Sequence, residues 1–266
     1  KAIQWAANKM RADGLENVHL EPVMVPHWVR GQEHAKVIRP TEQELVMLGL
    51  GGSIGTPPGG IEAETFVVGS FDELDSRAHG KIVVYNVPFT TYAQTVRYRT
   101  TGAWRAARHG AVASLVRSVG PRGARTPHTG AVNYTETDSR IPAAAITVED
   151  AELLQRMQDR GTPGWVHLEM NARLLPDAES ANVVGEILGW ERPEEVVVVG
   201  GHIDSWDVGT GSTDDGGGCI VTWEALRIIN QLGLRPRRTL RVVLWTNEEN
   251  GLRGATAYRD RYDKQL

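Results

Sequence analysis

Short β-branched runs alternate with amphipathic stretches along the chain, and glycine marks most of the joints between them. Ile3, Ala6, Ala7 and Met10 recur at helical spacing and stop at Gly14, which predicts a helix over residues 1–13 closed by a residue at ease in left-handed backbone. From Val18 to Val25 apolar and polar positions alternate imperfectly until Pro26-His27-Trp28 interrupts them, so a strand and then a turn are expected.

From about residue 45 the texture changes. Leu45–Leu48 and Thr65–Val68 are short apolar runs on either side of the glycine- and proline-dense stretch Gly51–Gly60, the signature of strands around a long turn. Lys81–Tyr85 and Ala111–Val116 read as further strands, with a helix over Tyr92–His109 that contains Gly102. After Pro142–Ile146, Thr147 is placed to cap a helix from Val148 to Arg160, and Asp150 falls near the positive end of its dipole. Trp165–Met170 is a last strand, and the polar Pro176–Ser180 reads as a linker.

Beyond it, Val183–Leu188 and Val196–Val199 are the continuous runs of strands buried on both faces. Helix Ile220–Leu232, strand Leu240–Trp245 and helix Leu252–Tyr262 follow. Strand and helix in alternation predict an open α/β sandwich, with residues 1–44 and 173–266 forming one domain and residues 45–172 a small α/β insert.

Composition narrows the function classes. Twenty-nine basic against 33 acidic side chains give a net charge of -4 without any basic block, which argues against nucleic acid as partner. No apolar run is long enough to span a bilayer. The lone Cys219 excludes an internal disulfide and reads as a small buried packer.

Three acidic or histidine clusters stand at the ends of apolar elements. Val196–Val199 runs into Gly200-Gly201-His202-Ile203-Asp204, where period-two geometry sets His202 and Asp204 on one side of a strand. His202 is a metal-ligand type, and Asp204 is placed to accept from its other ring nitrogen. Asp214-Asp215 precede three glycines and a helix, where two like charges call for a cation or a helix cap. The strand Leu240–Trp245 ends in Thr246-Asn247-Glu248-Glu249, a second carboxylate pair. Clefts of open α/β sheets lie at the carboxyl ends of strands, so the three clusters are expected to converge as a metal hydrolase site.

Gly201-His202-Ile203-Asp204-Ser205, Asp214-Asp215-Gly216-Gly217-Gly218 and Glu248-Glu249-Asn250-Gly251 together resemble the co-catalytic two-zinc exopeptidases of the M28 aminopeptidase family. The resemblance implies an open mixed-sheet sandwich and makes His202 a ligand of one zinc, Asp214 the bridge between two, and Glu249 a ligand of the other. It makes Glu248 the general base, with Asp204 beside it in the catalytic set, and implies a cis peptide bond between Asp214 and Asp215. It also implies that the insert is a protease-associated domain, that the substrate is a dipeptide or short peptide with free termini, and that the protein is an exported homodimer, whether secreted, lysosomal or periplasmic.

The family pattern has two further ligands, an aspartate and a histidine, after the glutamate pair. No histidine follows His202, and Asp260 and Asp263 fall in the expected last helix. The sequence therefore reads as a piece of a longer peptidase lacking its C-terminal part and its secretion signal, inactive by itself. A receptor-like homologue without activity and a glutaminyl-cyclase-like acyl transferase are alternatives on the same scaffold. Trp206, Trp223 and Trp245 read as core, His27, His109 and His128 as structural, and Asn133-Tyr134-Thr135 fits a glycosylation sequon.

Overall fold

The computed structural model describes residues 1–135 and 139–263. In chain order the elements are α1 (Ala2–Ala12), β1 (Glu16–Val29), β2 (Glu33–Arg39), β3 (Gln43–Leu45), β4 (Met47–Gly49), β5 (Ile61–Val68), β6 (Ile82–Tyr85), α2 (Tyr92–Arg108), β7 (Ala113–Arg117) and β8 (Ala143–Ile146). There follow α3 (Val148–Asp159), β9 (Trp165–Met170), β10 (Arg173–Ile187), β11 (Arg192–His202), α4 (Gly216–Gln231), β12 (Arg238–Trp245) and α5 (Arg253–Tyr262). They make two compact units, Lys1–His27 with Pro176–Leu266, and Trp28–Leu175.

The first unit is a mixed sheet in the order β1-β10-β12-β11. β10 runs antiparallel to β12 with Val183 opposite Leu244, and β11 runs parallel to β12 with His202 opposite Trp245. Period-two alternation divides these strands between two faces. Val183, Ile187, Val242 and Leu244 bury against α1 and α4 through Met10, Trp223 and Leu226, while Val184 and Val243 pack on Tyr258 of α5. Joining two parallel strands needs a crossover, and α4 supplies it. The helix accordingly starts at the edge where β11 ends.

Two expectations for this unit are corrected. Pro26-His27-Trp28 lies inside β1 rather than in a turn, because β1 borders the sheet and an edge strand tolerates a proline that cannot donate. Pro176–Ser180 belongs to β10 rather than to a linker. Its polar composition reflects exposure, since burial in this strand begins only at Ala181.

The second unit is an eight-stranded sheet in the order β3-β2-β9-β5-β6-β7-β8-β4, with β5 to β8 parallel and the flanking pairs antiparallel. Ile82 and Val84 face Ala151 and Leu154 of α3, while Val83 and Tyr85 face Ala103 and Ala106 of α2. Thr147 caps α3 as expected, its hydroxyl accepting from the Asp150 backbone. The Asp150 carboxylate turns instead to the Val46 N–H and to Arg125. The first division of the chain falls after His27, upstream of the expected residue 44, because β2 pairs with β9 (Ala35 opposite Leu168) and so belongs to the insert's sheet. The second falls after Leu175.

Candidate metal centre

Because β11 and β12 are parallel neighbours in register, the segments after His202 and after Trp245 leave the sheet at one edge. The chain after β11 also runs into α4 there, and the three predicted clusters come together. His202 Nε2 lies 2.9 Å from Asp214 Oδ1 and 3.9 Å from Glu248 Oε2. Its Nδ1 lies 2.9 Å from the backbone carbonyl of Asp204. A carbonyl only accepts, so Nδ1 carries a proton and Nε2 is the atom turned to the carboxylates.

The role expected of the Asp204 side chain is corrected by this geometry. Its carbonyl orients the imidazole, while its carboxylate stands 3.6 Å from Nδ1 and accepts instead from the backbone N–H of Glu248 at 2.9 Å and of Glu249 at 3.2 Å. The two adjacent aspartates also divide their work across a cis peptide bond. Asp215 is spent on backbone, capping α4 through the Gly218 N–H at 3.0 Å and accepting the His202 N–H at 3.0 Å. Asp214 keeps a 79% exposed side chain turned to the histidine.

Charge accumulates at this edge. Burial, helped by the nearby charges of Asp214 and Glu248, pushes the Glu249 carboxyl up to about 7. Burial acts to lower the His202 imidazole, but the Asp204 carbonyl and the Asp214 carboxylate outweigh it and the net shift is upward. Neighbouring carboxylates of this kind resist ionising together unless a cation compensates them.

The donor chemistry fits a divalent cation: one imidazole nitrogen oriented through its partner, one exposed aspartate, and a glutamate short of positive charge. The closure of the ligands is less complete than the sequence suggests. Among the described residues no group of three or more His, Cys, Asp or Glu side chains is drawn together as the ligand set of one ion. His202 and Asp214 meet directly, whereas Glu249 reaches them through its charge.

Neither Asp260 nor Asp263 joins the site: Asp260 pairs with neighbouring Arg259, and Asp263 ends α5. Cys219 is buried, with Sγ 3.1 Å from the His202 carbonyl, and burial followed by the charges of Asp215 and Asp204 pushes its thiol up to about 12. It is a packing residue, as expected. A pocket of about 320 Å³ lies beside the histidine, with Trp5, Ile203, Ile220 and Trp223 in its wall together with His202 and Asp204. Sequence reasoning missed Trp5 here, since it lies outside the apolar positions Ile3, Ala6, Ala7 and Met10 and nothing local marks it as the wall of a pocket. No helix among the described residues is long and apolar enough to cross a membrane.

An open mixed sheet with an imidazole and carboxylates gathered where two parallel strands end belongs to the class of open α/β folds whose sites lie at the carboxyl ends of strands. Residues 182–265 match the family model "Peptidase family M28", and this part of the chain belongs to that family. Carboxypeptidase Q of Mus musculus is 56% identical over 261 residues, which are 97% of this chain and 56% of that protein. The crystal structure of a peptidase M28 precursor from Shewanella amazonensis SB2B superimposes with a TM-score of 0.96 at 36% identity, covering 100% of this chain and 62% of that one. A zinc aminopeptidase from Bacillus subtilis shares the fold, with a TM-score of 0.71 at 19% identity over 99% of this chain and 59% of that one. The chain thus spans little more than half the length of the curated relative.

Proposed function

We propose that this chain is the metal-binding part of a zinc-dependent exopeptidase that hydrolyses dipeptides or short peptides with free termini. The observation that carries the reading is the meeting of His202, Asp214 and Glu248 at one strand edge, with Glu249 held up to about 7 beside them. His202 would hold one Zn²⁺, Glu249 another, and Asp214 both. Zinc, when bound, supplies Lewis acidity that makes a water easier to deprotonate and a peptide carbonyl easier to attack. Asp204 fixes the direction of the imidazole by its carbonyl and the backbone of both glutamates by its carboxylate. Glu248, with a side chain 42% exposed, is free to take the proton of the attacking water and return it to the leaving amine.

The Trp28–Leu175 unit is, on this reading, a protease-associated domain, and an exported homodimer accompanies the family resemblance. The test is metal content and dipeptide hydrolysis of the full-length protein and of Glu248→Gln. About two zinc ions in both proteins, with hydrolysis lowered roughly 10²- to 10⁴-fold in the variant, are expected. Undiminished hydrolysis removes Glu248 as the base. A wild-type protein that takes up no metal overturns the reading in favour of a receptor-like homologue.

A further inference from the structure

The backbone from Thr246 to Gly254 carries both glutamates of the proposed site, and a single side chain from another strand holds its two ends. Asn182, on β10 and 0% exposed, accepts the Thr246 N–H through Oδ1 at 3.0 Å and donates from Nδ2 to the Gly254 carbonyl at 3.0 Å. The ends also meet each other, the Gly254 N–H donating to the Thr246 carbonyl at 2.9 Å. Ser180, two residues earlier on β10, adds a hydroxyl contact of 2.7 Å to Thr246 Oγ1.

We propose that Asn182 is a positioning residue for Glu248 and Glu249, acting through the two stems of their loop. The proposal rests on the reading of those glutamates as site residues. Its chemistry is specific to a carboxamide. The stems offer one buried N–H and one buried carbonyl, and an amide answers with one acceptor and one donor, where a carboxylate offers only acceptors and an apolar isostere neither. Complete burial leaves no water to replace a lost partner. The loop has reason to need an outside hold. Leu252 sits at φ 58°, a left-handed position that local preference does not select for a leucine, while Asn247 at φ 58° and Gly251 at φ 120° are residue types that tolerate positive φ. The fit is close, because a Cβ on Gly254 would stand 2.4 Å from both Asn182 Oδ1 and the Thr246 carbonyl oxygen.

Asn182 and Asp204 therefore hold different parts of one segment: Asn182 the stems, and Asp204 the N–H groups of the glutamates. Asn182→Asp keeps the size and the acceptor but sets an oxygen against the Gly254 carbonyl. Backbone hydrogen exchange in the metal-free full-length protein should accelerate about tenfold or more over residues 246–254, with Val242 and Val243 of β12 unchanged. In the zinc-loaded protein kcat should fall about tenfold with KM nearly constant, the mark of misplaced catalytic groups rather than lost binding. Loop exchange that does not change, or acceleration that extends equally into β12, would overturn the proposal. Asn182→Ser, small enough to admit a bridging water, carries the same contrast if the aspartate variant does not fold. A wild-type protein that hydrolyses nothing removes the peptidase reading, while the exchange contrast still decides whether Asn182 holds the loop.

Discussion

The Asp204 carboxylate accepts the backbone N–H of Glu248 at 2.9 Å, and its second oxygen takes that of Glu249 at 3.2 Å. Asp204 follows β11 and the glutamates follow β12, so this contact ties two strand ends together across the site. The His202 imidazole is fixed from the same residue by its carbonyl. Orientation of the proposed ligand and of the proposed base therefore depends on one aspartate.

Asp204→Asn should uncouple these functions. The amide keeps one acceptor but turns its NH₂ toward the other backbone N–H, while the Asp204 carbonyl still holds His202. Loss of one charge-assisted hydrogen bond should cost about 1.5–3 kcal/mol of stability. Dipeptide hydrolysis should fall more than zinc content does. Urea denaturation, metal analysis and steady-state kinetics on the same preparations check this, and equal loss of metal and activity would count against it.

Glu249 gives stability a dependence on pH in the metal-free protein. Its folded value of about 7 lies above the ordinary 4.5, so the folded state keeps a proton that the unfolded chain gives up. For an acid shifted upward, stability present below 4.5 is lost as pH rises to about 7 and is not regained above it. Glu249→Gln should remove that loss, leaving the variant more stable at pH 8 by about 1 kcal/mol once solvent screening is allowed for. Urea denaturation with a chelator present, at pH 4 and pH 8, measures the difference. A variant no more stable at pH 8 than the wild type would refute it.

Cys219 should be inert despite its place beside His202. Its thiol is pushed up to about 12 by burial and then by the charges of Asp215 and Asp204, so the thiolate is scarce at any ordinary pH. Alkylation at pH 8 should run at least about a hundredfold slower in the folded protein than in urea. Mass-spectrometric labelling rates in the two conditions test it, and comparable rates would mean the helix end opens readily.

What could be read from the sequence follows from how local the signals are. Val196–Val199 and Leu240–Trp245 announce strands by their own composition, but burial on both faces holds only for the inner strand: β11 borders the described sheet, and its valines are partly buried, with Val197 exposed. The clusters that follow the two runs are contiguous in sequence. Their convergence required only that both strands end at one edge, which the parallel pairing of His202 with Trp245 provides. The outer half of β10 was illegible, because exposed polar residues in a strand look like a linker until a partner strand is in place. From residue type alone the division of labour between Asp214 and Asp215 was open, because an aspartate caps a helix as readily as it binds a cation; only the family resemblance singled out Asp214. Asn182 carried no signal at all. It is one polar residue ahead of an apolar run, and its partners lie 64 and 72 positions away.

Gly102 sets helix propensity against packing in the insert. The glycine lies within α2, where alanine is favoured by about 1 kcal/mol on propensity alone. Tyr85 of β6 is completely buried beneath it and donates its hydroxyl to the Gly102 carbonyl at 2.8 Å. A Cβ at this position would stand 2.6 Å from Tyr85 Cε2, in a ring flanked by Phe71 and Tyr98 at centroid distances of 5.5 and 5.8 Å. The ring has little freedom to retreat, so α2 must lift away from the sheet, with overpacking costing about 1–3 kcal/mol and the strained hydrogen bond about 1 kcal/mol more. Packing outweighs propensity, and Gly102→Ala should destabilise the protein by about 1–3 kcal/mol, whereas Gly102→Ala combined with Tyr85→Leu should recover part of that loss. A double-mutant cycle by urea denaturation reads the coupling directly. Additive losses would show that the Tyr85 ring is not what keeps a glycine in this helix.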